Sequence, residues 1–196
     1  MKKKIIASLV LVIYAVFSVF ALVSCGDGPF KDFSKAISET DPTAVNGSVT
    51  MYTEYGPLVS EYTATIAEDG SYVINYEYEL FDEIGEGTSN ETLSKYTGTV
   101  TYKDGSYSDS SLAAKINADA AATKIKLDEK KMSYSISEDG NVLSATVKAA
   151  KTKAVLGIEY GADVSFTLTK NEGKIVSLSM TYTLDVGKVE VVASYK

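Results

Sequence analysis

The chain has 196 residues and a formal net charge of −7, and it contains no His, Trp, Arg or Gln. Without His it cannot form a Ser-His-Asp triad or a His-supported zinc site, and without Arg it has no bidentate clamp for phosphate. The acidic balance argues against binding of nucleic acid, which attracts basic surfaces.

The N-terminus combines a positive start, a long apolar run and small residues. Lys2–Lys4 precede the apolar stretch from Ile5 to Val23, and Leu22-Val23-Ser24-Cys25 contains the single cysteine. This order is typical of a secretory signal, and the last four residues resemble the lipobox of bacterial lipoproteins. The resemblance implies cleavage before Cys25, lipidation of Cys25, and a membrane-anchored, extracytoplasmic location in the cell envelope. The alternative is an uncleaved transmembrane anchor, because the apolar run is long enough to span a bilayer.

Three segments follow from this reading. Residues 1–24 are the predicted lipoprotein signal peptide, residues 25–45 a tether with an amphipathic helix, and residues 46–196 an antiparallel β domain. Cleavage would remove three lysines and none of the 26 acidic residues, which leaves a net charge of −10. With Cys25 lipidated the chain has neither a free thiol nor a disulfide. Its stability must therefore come from the packing of one core.

The segment PFKDFSKAISE at 29–39 predicts the amphipathic helix. Its apolar residues fall on one helical face: Phe30, Phe33, Ala36 and Ile37. Pro29 suits the first helical turn, and the Asp41-Pro42 pair stops the helix. We expect this helix to lie against the β domain. A helix lying on the membrane is the alternative, but the polar residues of this one include acidic as well as basic side chains.

From Gly47 onward, apolar and polar residues alternate with a period of two. In 71–81 the apolar set is Tyr72, Ile74, Tyr76, Tyr78 and Leu80; in 175–185 it is Val176, Leu178, Met180, Tyr182 and Leu184. Similar segments lie near 48–55, 58–67, 95–103, 132–137, 142–149, 163–170 and 188–195. Such alternation predicts strands with one solvated face. Glycine-containing turn signals between them predict successive hairpins.

Two segments interrupt the strand pattern and predict short helices. The Ala-rich segment 110–124 has Leu112, Ala113, Ile116 and Ala120 at helical spacing. Ser110 or Ser111 is its predicted N-cap. The segment 148–161 predicts a helix that ends at Gly157.

This order of elements, closed by the three predicted strands of residues 155–195, resembles the half-barrel lipoprotein carriers of the LolA/LolB and LppX/LprG type. The resemblance implies a mainly β fold with a few helices, in which a curved antiparallel meander packs against one to three helices around an apolar cavity for acyl chains. LolA-type carriers have an Arg near the cavity. This chain has no Arg. LolA itself is also not lipid-anchored, so this chain is more similar to the LppX/LprG type.

Five residues on the predicted apolar strand faces are candidate ligand contacts: Tyr76, Tyr78, Phe166, Met180 and Tyr182. A sheet curved over a cavity would present them to a lipid, with tyrosine hydroxyls at the mouth for a head group. The alternative is that they are ordinary core residues. No cofactor is implied.

Two groups of acidic residues could form a metal site or an acid–base pair, but a simpler interpretation applies to each. The segment 81–91 is rich in oxygen ligands, but its spacing does not match an EF-hand loop, and a solvated loop is the simpler interpretation. Glu77 and Glu79 share one strand face at a spacing that could suit acid–base chemistry. Because that face is solvated, nothing there would raise either pKa. We therefore predict no metal site and no catalytic residue.

The sequence thus favours a non-catalytic carrier or sensor of a lipid or other apolar ligand, anchored to the membrane through Cys25. The alternative is a cell-surface lipoprotein that binds another protein and no small ligand. A cavity behind the apolar face would favour the carrier, and a filled core with an exposed apolar patch would favour the interaction protein. The sequence specifies neither the ligand nor a protein partner.

Overall fold

The computed structural model describes residues 28–40, 43–54, 56–67, 69, 71–81, 93–116, 118, 125–185 and 187–196. The predicted signal peptide, Cys25, Ala120 and residues 82–91 of the acidic segment lie outside them. Among the helices of the described ranges, none is both long and apolar enough to cross a membrane.

Ten antiparallel strands form one sheet. The strands are β1 Ala44–Thr53, β2 Gly56–Ile66, β3 Tyr72–Phe81, β4 Leu93–Lys103, β5 Ser106–Tyr107, β6 Met132–Ile136, β7 Val142–Val147, β8 Val164–Asn171, β9 Lys174–Leu184 and β10 Gly187–Tyr195. The helices are α1 Pro29–Glu39, α2 Ser110–Lys115 and α3 Thr152–Leu156, and a 3₁₀ turn, Ala149–Lys151, precedes α3. The predicted mainly β fold with a few helices is confirmed.

The order of strands across the sheet is β5-β4-β3-β2-β1-β10-β9-β8-β7-β6. The chain therefore makes two hairpin meanders, β1–β5 and β6–β10, which join where Val45 of β1 pairs with Tyr195 of β10. The two outermost strands, β5 and β6, do not pair with each other, so the curved sheet stays open. This arrangement is the predicted half-barrel.

One face of the sheet is apolar and buried. A row of paired residues crosses five neighbouring strands: Leu143, Leu168, Leu178, Ala193 and Gly47. The three leucines of this row are at most 1 % exposed, and burying one leucine contributes about 1.5–3 kcal/mol. Ser and Thr occupy many of the intervening positions on the other, polar face. The two-residue period of the sequence is thus the source of the two-faced sheet.

The alternation in β9 contains one fault. Thr169 pairs with Ser177 but Lys170 pairs with Ile175, so Val176 is an extra residue at a β-bulge. Ile175 is consequently buried and Val176 is only half-buried. The prediction that placed Val176 in the apolar row is therefore wrong at this end of the strand. Beyond the bulge, Leu178 and the two predicted ligand contacts of β9 are buried as expected.

Helix α1 lies against the sheet, as predicted. Phe33 and Ala36 are buried, and α1 contacts β9. The Phe30 ring lies 4.5 Å from the Tyr134 ring of β6, and the ammonium of Lys170 lies 4.9 Å above the Phe33 ring. Pro29 stands in the first turn of the helix. The helix therefore covers part of the apolar face at the β6–β9 side.

The two shorter helices differ in how well their ends were predicted. The N-cap of α2 is Asp109, whose carboxylate accepts a hydrogen bond of 2.9 Å from the Leu112 amide. The prediction of Ser110 or Ser111 as the cap is therefore wrong, because Asp109 supplies the acceptor at the required three-residue spacing. Helix α3 ends at Gly157, as predicted, and this glycine has a left-handed backbone with φ of 77°.

Candidate functional site

Six tyrosines form two groups of ring contacts on the apolar face of β3, β4 and β5. Tyr72, Tyr102 and Tyr107 make the first group, and Tyr76, Tyr78 and Tyr96 make the second. We call them the tyrosine cluster: Tyr72, Tyr76, Tyr78, Tyr96, Tyr102 and Tyr107. They meet because the strand register pairs Tyr72 with Tyr102, Tyr78 with Tyr96 and Tyr102 with Tyr107. Paired side chains on one face of a sheet lie within contact distance.

The cluster extends from the core to the surface. The Tyr72 and Tyr102 rings stack at 4.7 Å, and the Tyr78 and Tyr96 rings stack at 5.3 Å. Tyr72 and Tyr78 are buried, whereas Tyr96 is 42 % exposed. The hydroxyls of Tyr72 and Tyr107 are hydrogen-bonded at 3.0 Å. The rim at Tyr96 is thus aromatic, open to solvent and continuous with the buried rings of Tyr78 and Tyr76.

Two glycines allow tyrosine rings to lie flat on the sheet. Gly98 pairs with Tyr76, and a Cβ at Gly98 would come within 2.8 Å of the Tyr76 Cζ. Gly47 pairs with Tyr62 of β2 in the same way, and a Cβ there would come within 2.5 Å of the Tyr62 Cζ. A ring that covers a strand glycine also protects the exposed backbone.

Of the five predicted ligand contacts, Tyr76 and Tyr78 belong to the tyrosine cluster, with ring centroids 5.5 Å apart. The other three lie on β8 and β9, where Phe166 pairs with Met180. The Tyr182 ring contacts the Tyr160 ring at 4.9 Å. All five lie on the apolar face and none is more than 8 % exposed. The structure therefore places them in two groups on one face.

Tyr62 is a further buried tyrosine that the sequence analysis did not single out. Its hydroxyl is the one buried side-chain oxygen or nitrogen of the described residues that has no hydrogen-bond partner. Burial, with smaller contributions from Tyr195 and Tyr160, raises the pKa of this hydroxyl far above its usual value. Burial also raises the pKa of Tyr195 to about 12. The signal that could have identified Tyr62 is its position among alternating residues of β2.

The carboxylates of Glu77 and Glu79 both contact the ammonium of Lys95, at 2.8 Å and 3.7 Å. The hydrogen bond to Glu77, with smaller contributions from other carboxylates, raises the pKa of Lys95. Glu61 pairs directly with Glu77 on the polar face. The Lys95 side chain is largely exposed, whereas that of Glu79 is only 18 % exposed, and the Lys95 ammonium already lies between the two carboxylates.

Two open grooves lie on the polar face, so neither is the cavity behind the apolar face that would favour a carrier. The first, of about 400 Å³, is lined mainly by Ser and Thr of β6–β9. The second, of about 570 Å³, crosses β3, β2, β1 and β10 and includes Glu61, Glu77 and Val192. Val192 is 52 % exposed. Within the described ranges, no three potential metal-ligating side chains come together as a site for an ion.

The fold defines the class of the protein as an open antiparallel β half-barrel. No family model matches the chain, and no curated protein matches it. Solved structures similar to it include LprF from Mycobacterium bovis, with 15 % identity over 85 % of this chain and 91 % of that chain, at a TM-score of 0.42.

Two further solved structures are similar over most of the chain. The redesigned β-barrel mFAP1, bound to DFHBI, has 13 % identity over 83 % of this chain and 100 % of its own, at a TM-score of 0.25. The dehydratase domain from the CurF module of curacin polyketide synthase has 9 % identity over 85 % of this chain and 78 % of its own, at a TM-score of 0.20. At these identities and TM-scores, none of the three likenesses bears on function.

Proposed function

We propose that the chain is a lipid-anchored extracytoplasmic protein that holds an acyl lipid or another apolar ligand on the apolar face of its half-barrel. The observation that carries this proposal is the second group of the tyrosine cluster, which runs from buried Tyr76 through Tyr78 to the solvent-exposed rim at Tyr96. The sheet is open, and the Tyr96 ring at the edge of this aromatic surface is exposed to solvent.

The chemistry of the cluster suits an amphiphile. Its ring faces offer apolar contact to alkyl chains, and its hydroxyls offer hydrogen bonds to a polar head group. Tyr78 and Tyr96 stand where a chain would enter, and Tyr76 continues the surface inward. In this proposal Phe166, Met180 and Tyr182 would form the wall at the β8–β9 side.

The proposed anchor supports direct exchange of a ligand with the membrane. Cys25 precedes Gly28, the first described residue, by three positions, so the tether reaches at most about 10 Å. Helix α1 begins at Pro29 and is packed against the sheet. A lipidated Cys25 would therefore hold the half-barrel beside the bilayer surface.

An interaction protein is the second candidate function. The groove of about 570 Å³ on the polar face favours it, because this groove combines Glu61 and Glu77 with exposed Val192. A protein partner with a basic rim and an apolar centre would fit these side chains.

The test is native mass spectrometry of the full-length chain, purified in mild detergent from the membranes of its own host. We expect about one noncovalent lipid per protein in addition to the covalent anchor. Tyr96→Asp places a charge at the aromatic rim and should abolish this co-purification. Thr97→Asp changes the neighbouring, exposed residue of β4 and should leave it intact.

The outcomes separate the two functions. A wild-type chain that carries no noncovalent ligand would contradict the carrier proposal. Co-purification of a protein that is lost in Glu61→Lys, with no lipid present, would favour the interaction protein instead. Equal loss of lipid in Tyr96→Asp and Thr97→Asp would show that the rim has no particular role.

A further inference from the structure

The Tyr62 hydroxyl is the unusual polar group of the apolar face. Tyr62 is 7 % exposed, and its hydroxyl has no hydrogen-bond partner in the described part of the chain. A buried donor without a partner is unfavourable, since it has lost its hydrogen bonds to water and gained none. Phenylalanine would fill the same position without this penalty, so the hydroxyl itself needs an explanation.

The sheet beside this hydroxyl has unusually small side chains. Tyr62 pairs with Gly47 of β1, and Gly47 pairs with Ala193 of β10. The Tyr62 ring lies across Gly47, where a Cβ would come within 2.5 Å of its Cζ and Oη atoms. Ala64, two residues further along β2, is also buried on this face. These small residues let the Tyr62 ring lie flat on the sheet, so its hydroxyl is held above Gly47 of β1.

The surroundings of Tyr62 favour a neutral acceptor. Its ionisable neighbours are Tyr160 and Tyr195, and burial raises its pKa, so that it remains a hydrogen-bond donor at every physiological pH. No lysine whose burial is described is buried, and the chain has no Arg or His. A carboxylate at this position would be a buried charge without a counterion, which is strongly unfavourable. An ester carbonyl accepts the same hydrogen bond without that cost.

We propose that the Tyr62 hydroxyl donates a hydrogen bond to the carbonyl oxygen of a neutral acyl ester held on the apolar face of the half-barrel. This inference rests on the proposed carrier function and narrows its ligand class to neutral ester lipids. Tyr62 selects for the ester group, and the tyrosine cluster supplies the apolar contacts to the acyl chain.

The experiment compares two probes that differ only in the acceptor. 1,2-Dioctanoylglycerol carries two ester carbonyls, and 1,2-dioctylglycerol, its diether counterpart, carries none. Binding of each is measured to the full-length, delipidated chain in detergent for the wild type, Tyr62→Phe and Tyr52→Phe. Tyr52 is the control, because its side chain is exposed on the polar face, where its hydroxyl donates a hydrogen bond to Glu190.

We expect Tyr62→Phe to weaken binding of the ester probe about fivefold to tenfold, as the loss of one hydrogen bond should. Binding of the diether should not change, and Tyr52→Phe should bind both probes as the wild type does. The melting temperature of ligand-free Tyr62→Phe should equal or exceed that of the wild type, since an unpaired buried hydroxyl has been removed.

The remaining outcomes distinguish this inference from the proposed function. If the wild type binds both probes and Tyr62→Phe changes neither affinity, the carrier function stands and the role of Tyr62 is overturned. If Tyr62→Phe instead lowers the melting temperature and keeps its affinity for the ester, the hydroxyl has a structural partner and the inference is again overturned. If the wild type binds neither probe, the carrier proposal fails and this inference fails with it.

Discussion

The hydroxyl of Thr40 accepts a hydrogen bond of 2.8 Å from the amide of Ile175 and ties the end of α1 to the start of β9. The same hydroxyl donates to the Ala36 carbonyl at 2.6 Å and so closes the last turn of the helix. Ile175 is the buried residue at the β-bulge of β9. One side chain thus links the helix to the irregular end of a central strand.

Thr40→Val should therefore lower the free energy of unfolding by about 1–2 kcal/mol, because the Ile175 amide loses its acceptor and the replacement has a similar shape. Thr40→Ser keeps the hydroxyl and should stay within about 0.5 kcal/mol of the wild type. Denaturant unfolding of the three proteins measures the difference. Equal stabilities of Val and Ser at this position would show that the link contributes nothing.

Met180→Asp should strongly destabilise the domain, by several kcal/mol, because Met180 is 1 % exposed and the new carboxylate would have no partner. Ser179 lies on the exposed face of the same strand. Ser179→Asp should therefore lower the free energy of unfolding by no more than about 0.5 kcal/mol. Met180→Leu keeps the apolar volume and should cost under about 1.5 kcal/mol. Unfolding curves that show similar losses for the two aspartates would contradict the register of β9.

The two glycine positions should respond differently when their covering rings are removed. Gly98→Ala should lower the free energy of unfolding by about 1–3 kcal/mol. In a Tyr76→Leu background most of this loss should disappear, because Tyr76 is the residue that the new methyl group would meet. At Gly47 a new methyl group would meet both the Tyr62 ring and the Val192 carbonyl. The loss of stability caused by Gly47→Ala should therefore largely remain in a Tyr62→Leu background. Double-mutant cycles in denaturant measure the two couplings. Equal couplings would mean that the rings do not lie on the glycines as described.

Lowering the pH should remove the contribution of the Asp163 carboxylate to the stability of the fold. The hydrogen bond from Lys148, followed by that from the Ala149 amide, holds the pKa of Asp163 below its usual 3.8. A carboxyl with a lowered folded-state pKa stabilises the fold at pH values above the unfolded pKa, and it loses that contribution as pH falls through the folded value. Asp163→Asn should therefore be less stable than wild type at pH 7, and the two should converge as pH falls well below 3.8.

The control for this prediction is Glu159→Gln, which alters a nearby exposed carboxylate outside the ion pairs of the described chain. Its stability difference from wild type should vary less with pH. Melting temperatures measured between pH 7 and pH 2 provide the comparison. A constant gap between wild type and Asp163→Asn over this range would exclude the expected linkage.

Cys25→Ser should abolish incorporation of labelled palmitate and leave the chain either uncut or released from the membrane, because Cys25 is the proposed lipidated residue. Metabolic labelling in the native host, followed by fractionation, measures both effects. Ser24→Ala keeps a small residue before the cysteine and serves as the control that should still be labelled. Palmitate labelling of Cys25→Ser would show that the lipobox interpretation is wrong.

Local patterns in the sequence were sufficient to predict most of the strands. The inward positions of Tyr72, Ile74, Tyr76 and Tyr78 follow from a two-residue period over an uninterrupted segment. Gly157 was likewise recognisable as the end of a helix. The bulge at Val176 was not, because it arises from pairing with β8, which a single strand does not encode.

The candidate site was harder to predict than the fold, since it depends on which strands are neighbours. The pairings of Tyr78 with Tyr96 and of Tyr62 with Gly47 join separate strands in a register that the alternation alone leaves open. Tyr62 therefore looked like any other strand tyrosine. That its hydroxyl has no partner among the described residues is a property of the assembled core.

The position of β1 beside β10 has a consequence for how the chain reaches its native state. Each meander can form from contacts close in sequence, whereas the seam between Val45 and Tyr195 requires closure of almost the entire described chain. If the chain folds from its N-terminus onward, the two meanders cannot join until β10, the last strand, is available. This strand has nine residues. During this interval β1 presents a free edge to other chains. A chaperone that protects the newly made chain would then act on the middle of the future sheet, and truncation of β10 would leave two aggregation-prone halves.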